Sequence, residues 1–409
     1  MKISLNIRSP KMMKCCIYVL SCLAIIASSD PFAVAADWQD ILEPEFDIVD
    51  TFDHYNDWVG ETANNSCGPS HITYTSGGSP ALYQSHCYWD RTAPASSRPN
   101  VIDDFPNDKV VEGKGMRINW LGNGDGNQEI GGIKSYIGNG SWTSGYESIY
   151  IFFSMYMPSD RFVTRTTSAS SRNATGHIKE GEDQLWLNSG KWVCVSMGFV
   201  DEGAWGPSGV NEHNCRWGWS EVHFHLKNQG SPRYPVVKLD SGGSYFSTIS
   251  GQVDISSFLD RKIWVELYLK RESSIGMSDG AAKVTFYDEN GQSTVVLNAS
   301  GVSLHDPDSS CMNTTGVSLS QGDQMKFNRL NFESNWRVSD SGDQYYVCGS
   351  YYDSTGNKVR DLSCEWYMDD LIIDDQPIGE KYFTHYSPYF GGGGNPQPPS
   401  APLNLRFRQ

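Results

Sequence analysis

From Ser220 to Asn228 the chain alternates with a period of two, so that Val222, Phe224 and Leu226 fall on one side and Glu221, His223, His225 and Lys227 on the other. This predicts a strand with one core face and one ionisable face. The same alternation predicts strands at 115–121, 147–157, 192–199, 262–271, 282–288, 293–298, 326–333 and 365–374, with a short helical turn within 252–259. In 147–157, Ile149, Ile151, Phe153, Met155 and Met157 form the apolar side, against Tyr150, Phe152, Ser154 and Tyr156. In 115–121, Met116, Ile118 and Trp120 oppose Arg117 and Asn119. With 40 glycines and 12% aromatic residues the chain reads as all-β. Strands this evenly spaced suit one large sandwich with loop insertions better than several small domains.

The ends do not fit that pattern. Basic Lys2, Arg8, Lys11 and Lys14, an apolar stretch from Cys15 to Ala27, and Ala33-Val34-Ala35 form a secretion signal over residues 1–36, with a lipoprotein cleavage before Cys22 as the weaker alternative. A secreted or periplasmic location is expected. No later apolar run approaches the ~20 residues of a membrane span. Residues 37–390 form the predicted sandwich domain, and a Gly/Pro-rich tail covers 391–409. Removing the signal takes away four basic residues and one acidic residue, so the formal charge moves from -16 to -19. That excludes nucleic acid as an expected partner. Seven cysteines remain in the mature chain; Cys67 with Cys87, and Cys194 with Cys215, would each close a short loop, and Cys311, Cys348 and Cys364 leave one pair and one over. Asn64, Asn139, Asn173, Asn298 and Asn313 begin glycosylation sequons.

The order of segments carries a family likeness. Gly113-Lys114-Gly115-Met116-Arg117-Ile118 precedes the aromatic strand at 147–157 and Pro158. Arg261 to Lys270 follows, then Asp279-Gly280 before Val284-Thr285-Phe286-Tyr287-Asp288. The last segment is Trp366-Tyr367-Met368-Asp369-Asp370-Leu371-Ile372-Ile373, with Ile378-Gly379 after it. Together these resemble the concanavalin-like jelly-roll superfamily, in particular its secreted bacterial polysaccharide lyases and lyase-like proteins, over about residues 45 to 382. The resemblance implies two antiparallel sheets, one bent into a concave groove for a glycan chain. The superfamily's retaining-glucanase signature, Glu-x-Asp-x-x-Glu, is met only by Glu45-Phe46-Asp47-Ile48-Val49-Asp50, with Asp in the last place. The alginate-lyase pattern that joins Gln-x-His with a Tyr-Phe-Lys-Ala-Gly strand is not met as a whole.

Within that frame, the residue types favour β-elimination on an acidic, uronic-acid-containing polysaccharide. Such a reaction needs a base for the proton α to a carboxylate, neutralisation of that carboxylate, and an acid for the leaving oxygen. His223 and His225 are expected to transfer protons or neutralise charge, Tyr156 or Tyr150 to act as base or acid, and Arg117 to hold the carboxylate. Lys227, Tyr150, Asn119, Gln184, Trp186 and Glu221 are expected to contact the glycan, and Trp205, His213, Trp217 and Trp219 could form a platform at one end. Each of these residues also has a plain reading as solvated strand face, surface ion pair or space-filling aromatic. A lectin-like binding protein and a glycoside hydrolase are the alternatives on the same fold.

No transition metal or organic cofactor is expected. His223-x-His225 matches the cupin metal motif, but Asn228 and Gln229 stand where that motif has Glu, and only His177 or His213 offers a third ligand. A structural calcium could sit at Asn123, Asp125, Asn127 and Glu129, or at Asp369, Asp370, Asp374 and Asp375. The latter run otherwise reads as an edge-strand and turn device. The expected partner is a polysaccharide substrate, and the expected state a monomer.

Overall fold

The computed structural model describes residues 37–53, 82–88, 100–119, 132–137, 145–159, 163–165, 184–186, 189–197, 221–229, 234–241, 249–274, 277–304, 324–332, 336–337, 349–352, 358–362 and 365–390. Two helices bracket the fold, α1 (Trp38–Leu42) and α2 (Gly379–Phe390). The strands run β1 (Ile48–Asp50), β2 (Leu82–Tyr88), β3 (Asn100–Asp104), β4 (Lys114–Asn119), β5 (Gly132–Ile137), β6 (Ser148–Tyr156) and β7 (Val163–Arg165). Then come β8 (Gln184–Trp186), β9 (Ser189–Met197), β10 (Glu221–Gln229), β11 (Tyr234–Ser241), β12 (Ile249–Ser250), β13 (Lys262–Lys270) and β14 (Gly280–Tyr287). The last are β15 (Ser293–Val302), β16 (Phe327–Phe332), β17 (Trp336–Arg337), β18 (Gly349–Tyr352), β19 (Lys358–Leu362) and β20 (Glu365–Asp374). All nine predicted strands are present within a few residues of their expected bounds, and the 252–259 turn is one 3-10 turn at Ser256–Phe258.

The strands form an all-β jelly-roll sandwich of two antiparallel sheets. The first runs β15-β14-β13-β6-β20-β4-β3, with β1 also paired to β20; the second runs β12-β11-β10-β9-β16-β5-β2, with β17 on β9. Strands β7 with β8, and β18 with β19, make two small separate ribbons. Alternating apolar positions of both sheets meet in one core, where the Phe153 ring lies 5.8 Å from Trp192 and 5.2 Å from Phe332.

A second apolar cluster covers the outer face of the first sheet. Tyr382 and Tyr386, one turn apart on α2, bury against Trp38 of α1, Trp264 of β13 and Phe152 of β6. Burying side chains of this size contributes about 1.5–3 kcal/mol each. The first amides of α2 find their acceptor outside the helix. Ile378 and Gly379 both donate to Oε2 of Glu266 on β13, at 2.9 and 2.8 Å. A Cβ at Gly379 would stand 2.3 Å from Cζ of Tyr287, so only glycine lets the helix start this close to the sheet.

Asp369 and Asp370 lie under this helical layer. The acidic run was expected at an edge; β20 is instead interior, paired to β6 and β4, and a register break between Asp369 and Ile372 accommodates Asp370 at φ 51°. Asp370 accepts hydrogen bonds from Trp38 Nε1 at 2.9 Å and from Tyr382 Oη. Asp369 accepts from the amide of Val111 at 2.8 Å. Burial pushes both carboxyls up, Asp370 to about 7.

Candidate functional site

The histidine strand lies in the middle of the second sheet. Val222, Phe224 and Leu226 enter the core, and His223 and His225 lie on the opposite, outer face. Both histidine residues are more than nine-tenths buried, with ring centroids 5.8 Å apart. Pairing extends this face sideways. His223 stands opposite Asp240 on β11 and opposite Cys194 on β9, and Cys194 stands opposite Asn331 on β16. At 4.7–4.9 Å per strand this row spans roughly 14 Å from Asp240 to Asn331. By backbone position it continues at Lys134 on β5 and His86 on β2.

Two flanking rows complete the face. On one side, Ser196 of β9 stands opposite Glu221 and opposite Arg329 of β16. On the other, His225 stands opposite Lys238 of β11, and a bulge between Phe224 and His225 sets it against Lys191 of β9. Cys194, Ser196, Arg329 and Asn331 are all buried. The Cys194 sulfur lies 3.9 Å from Ser196 Oγ, as two side chains on one face of a strand must. Asp240 Oδ2 accepts from Lys238 Nζ at 2.7 Å and lies 3.9 Å from Nε2 of His225. Chemically the face offers two imidazoles, a guanidinium, a carboxamide, a cysteine sulfur, a hydroxyl and a Lys–Asp pair. It can exchange protons and bind an anion.

The sequence-predicted residues divide between two faces. Arg117, Tyr150 and Tyr156 are on β4 and β6 of the first sheet, on its outer side, so the whole sandwich separates them from His223 and His225. Packed sheets lie ~10 Å apart, with a side chain's length added on either side, too far for one sugar ring to touch both sets. The expectation that Arg117 and Tyr156 share a catalytic centre with the histidines is therefore corrected. Strand parity reports which side chains share a face within one strand and carries no information on which sheet the strand joins.

Their surroundings have other work for them. Tyr367 of β20 stands between Tyr156 and Arg117 in the register, and Lys109 Nζ lies 4.3 Å above the Tyr367 ring and 5.6 Å above that of Tyr156. Tyr150 stacks on Tyr268 at 4.6 Å, and burial, then Tyr268 and Glu266, push its hydroxyl up, which makes it a weaker acid. Phe152 and Ser154, between the two tyrosines, are fully buried.

Of the remaining predicted contacts, Glu221 and Lys227 are on β10, Asn119 ends β4, and Gln184 and Trp186 belong to β8 in the ribbon with β7; their side chains lie outside the described residues. So do residues 1–36 and 391–409, the Asn123–Glu129 segment, His177, the Trp205–Trp219 loop, and Cys67, Cys215, Cys311, Cys348 and Cys364. The residues that sequence reasoning missed are Arg329, Asn331, Lys238 and Asp240. For Arg329 and Asn331 a signal existed, since they alternate with Leu330 and Phe332 in a predicted strand; Lys238 and Asp240 alternate with Val237 and Leu239 in the same way, in a segment that was not predicted as a strand.

A separate oxygen cluster lies where β1 meets β20. Ligand atoms of Asp47, Asp374 and Asp375 come within 4.8 Å of one another. Asp47 also accepts from Tyr146 Oη at 3.0 Å, and Asp374 from the amides of Asp47 and Gln376 at 3.3 and 2.8 Å. An all-oxygen set of this kind suits a hard cation. Asp50, the third position of the glucanase-like motif, is buried and holds the amide of Phe52 at 2.9 Å.

No protein-family model and no curated protein matches the chain. Among solved structures it is similar to alginate lyase Aly36B in complex with alginate trisaccharide, at 14% identity and a TM-score of 0.33, over 67% of this chain and 87% of that one. Alginate lyase vAL-1 from Chlorella virus gives 12% and 0.31, over 64% and 84%. The endo-1,3-beta-glucanase from Streptomyces sioyaensis gives 9% and 0.29, over 80% and 94%. Likenesses of this size say nothing about reaction or substrate. Among the described residues no helix is long and apolar enough to cross a membrane. The finding that stands is a jelly-roll sandwich bearing one buried ionisable row on the outer face of its second sheet.

Proposed function

We propose that the chain is a secreted polysaccharide lyase that cleaves a uronic-acid-containing polymer on the outer face of the second sheet. The observation that carries this reading is the row joining His223, Cys194 and Asn331 across three paired strands, flanked by His225 and Arg329. Arg329 and Asn331 supply the donors that neutralise a uronate carboxylate and so acidify its α-carbon. One imidazole takes the α-proton as the electron pair forms the new double bond. The β carbon–oxygen bond then breaks, and the other imidazole, as imidazolium, gives its proton to the departing oxygen. Charge and protons balance with no metal step. Tyr156, Tyr150 and Arg117 have no part in this scheme.

A retaining or inverting hydrolase needs two carboxylates about 5–9.5 Å apart across the scissile bond. Among the described side chains on this face Asp240 is the one carboxylate, and it is already engaged by Lys238. This favours elimination. The test is incubation of the purified protein with alginate, glucuronan, ulvan and pectin while following the absorbance of the unsaturated product. Turnover of one polymer, lost on His223→Ala, supports the reading. Absence of any unsaturated product across the panel, with glycan binding retained, turns it into a lectin-like protein.

A structural calcium at Asp47, Asp374 and Asp375 is part of the same proposal. It would tie β1 to β20 and take no part in the reaction.

A further inference from the structure

Helix α2 covers only part of the outer face of the first sheet. It begins over Glu266, which accepts its first amides, and its rings lie against Phe152, Trp264 and Tyr287. Two residues further along β13 the face is open. There the register sets Tyr150 of β6 opposite Tyr268 of β13, Tyr268 opposite Lys283 of β14, and Lys283 opposite Asn298 of β15. The next row is Ser148, Lys270, Ala281 and Ser300. Directly paired residues of antiparallel strands share a face, so the two rows form one shelf, and at 4.7–4.9 Å per strand each spans roughly 14 Å.

The shelf is amphipathic. The rings of Tyr150 and Tyr268 stack at 4.6 Å and are both partly exposed, and Tyr150 is backed by the aromatic layer under α2. Lys270, Asn298 and Ser300 are exposed, and Lys283 is partly so. The exposed large apolar side chains among the described residues are Val295, one row from Asn298 on β15, and Met277, in the connection that leads from Lys270 to β14. Asp374 ends the row on β20, and its carboxylate already accepts the amides of Asp47 and Gln376. Lys270 shares its field with Asp279. Among the described residues, Lys283 has no carboxylate within ion-pair distance.

We propose that this shelf is a second glycan-binding surface, on the far side of the sandwich from His223, and that it holds a stretch of an acidic polysaccharide. Sugar C–H faces rest on Tyr150 and Tyr268, hydroxyls meet Asn298 and Ser300, and a uronate carboxylate meets Lys283. The inference rests on the proposed function only for the identity of the polymer. A sugar ring has apolar C–H faces and a polar rim, and a tyrosine pair bordered by amine, carboxamide and hydroxyl groups matches both. The formal charge of -16 repels a second copy of the chain, and a polyanion is held here by the local lysines against that field. With one polymer contact on each outer face, release from one leaves the other bound. The second contact then acts at high effective concentration, which keeps the protein on a long chain.

The test is affinity electrophoresis of the full chain through gels holding polygalacturonate, alginate or neutral dextran. Tyr268→Ala and Lys283→Glu are each expected to raise the dissociation constant for an acidic polymer by about three- to tenfold. Both residues are partly exposed, so Tm should stay near that of the wild type. The same factor is expected for Tyr268→Ala in a His223→Ala background, because surfaces on opposite sides of the sandwich contribute additively. Unchanged retention in both shelf variants overturns the proposal, as does a Tyr268→Ala effect that disappears in the His223→Ala background. Equal retention by dextran, with Lys283→Glu silent, overturns the acidic class of the ligand. A wild-type dimer in sedimentation that the shelf variants dissociate makes a second copy the occupant and overturns it too. If the shelf variants weaken retention while no polymer yields unsaturated product, the shelf stands and the lyase reading is what fails.

Discussion

Trp38 donates its indole N–H to the Asp370 carboxylate at 2.9 Å, joining residues 332 apart in sequence. The contact ties α1 to the bulge in β20, and Tyr382 of α2 donates to the same oxygen. Burial pushes the Asp370 carboxyl up to about 7, against roughly 3.9 in an unfolded chain. The native state therefore binds the extra proton between these values, and the stabilisation from this group, full below about pH 4, is lost as pH rises through 7. Asp369, held up by burial and by its neighbour, acts in the same direction. Asp370→Asn keeps an acceptor for Trp38 and Tyr382 and removes the titration. The expected result is a smaller drop in Tm between pH 5 and pH 8 for the variant than for the wild type. Equal slopes would refute a protonated Asp370.

The start of α2 depends on a side chain from another element. Glu266 accepts both first amides of the helix and is 3.3 Å from Tyr287 Oη. Hydrogen bonds to a charged group contribute about 1.5–3 kcal/mol each, so Glu266→Ala is expected to lower unfolding free energy by a few kcal/mol, and Glu266→Gln by less. Gly379→Ala forces a clash with Tyr287 and should be comparably costly. Denaturant unfolding with unchanged m-values would check all three.

Covering the first sheet with α1 and α2 also predicts where the chain can be shortened. Ending it after Phe390 leaves every described contact in place and should change Tm by no more than a degree or two. Ending it after Ile378 uncovers Trp38, Phe152 and Trp264, and the expected outcome is an aggregating protein that binds a hydrophobic dye. A soluble, monomeric chain ending at residue 378 would contradict the role assigned to the aromatic layer.

Mutations on the two outer faces should separate cleanly. His223→Ala is expected to cost about 10²–10⁴ in turnover and Asn331→Ala about 10²–10³, while Tyr156→Phe and Arg117→Ala leave turnover near wild type. Product formation on the best polymer from the panel is the measurement. Loss of activity in Arg117→Ala at unchanged Tm would move the site to the first sheet.

Local alternation identified both the core and the outer side of β6 and β10, down to Phe153 and Phe224 inward and His223 outward. It could not show that β6 pairs with β13 and β20 while β10 pairs with β9 and β11, because pairing is a long-range choice that leaves no mark within a strand. Helix α2 escaped for a different reason. Tyr382, Tyr386 and Phe390 do recur at helical spacing, but Gly379 and Pro388 read as breakers beside a Gly-rich tail, and the cap on Glu266 lies 112 residues away. Arg329 and Asn331 became site residues only once β16 was found next to β9.

The last of the described strands, β20, lies in the interior of the first sheet, between β6 and β4. Until β20 slides between β6 and β4, that sheet exists as two unconnected pieces, β3–β4 on one side and β6 with β13, β14 and β15 on the other. A chain that emerges N-terminus first cannot close this gap before residue 374 is free, and until then the facing edges of β4 and β6 stay unpaired. Completion of that sheet is thereby timed by the emergence of β20, and the interval before it is when aggregation competes most strongly.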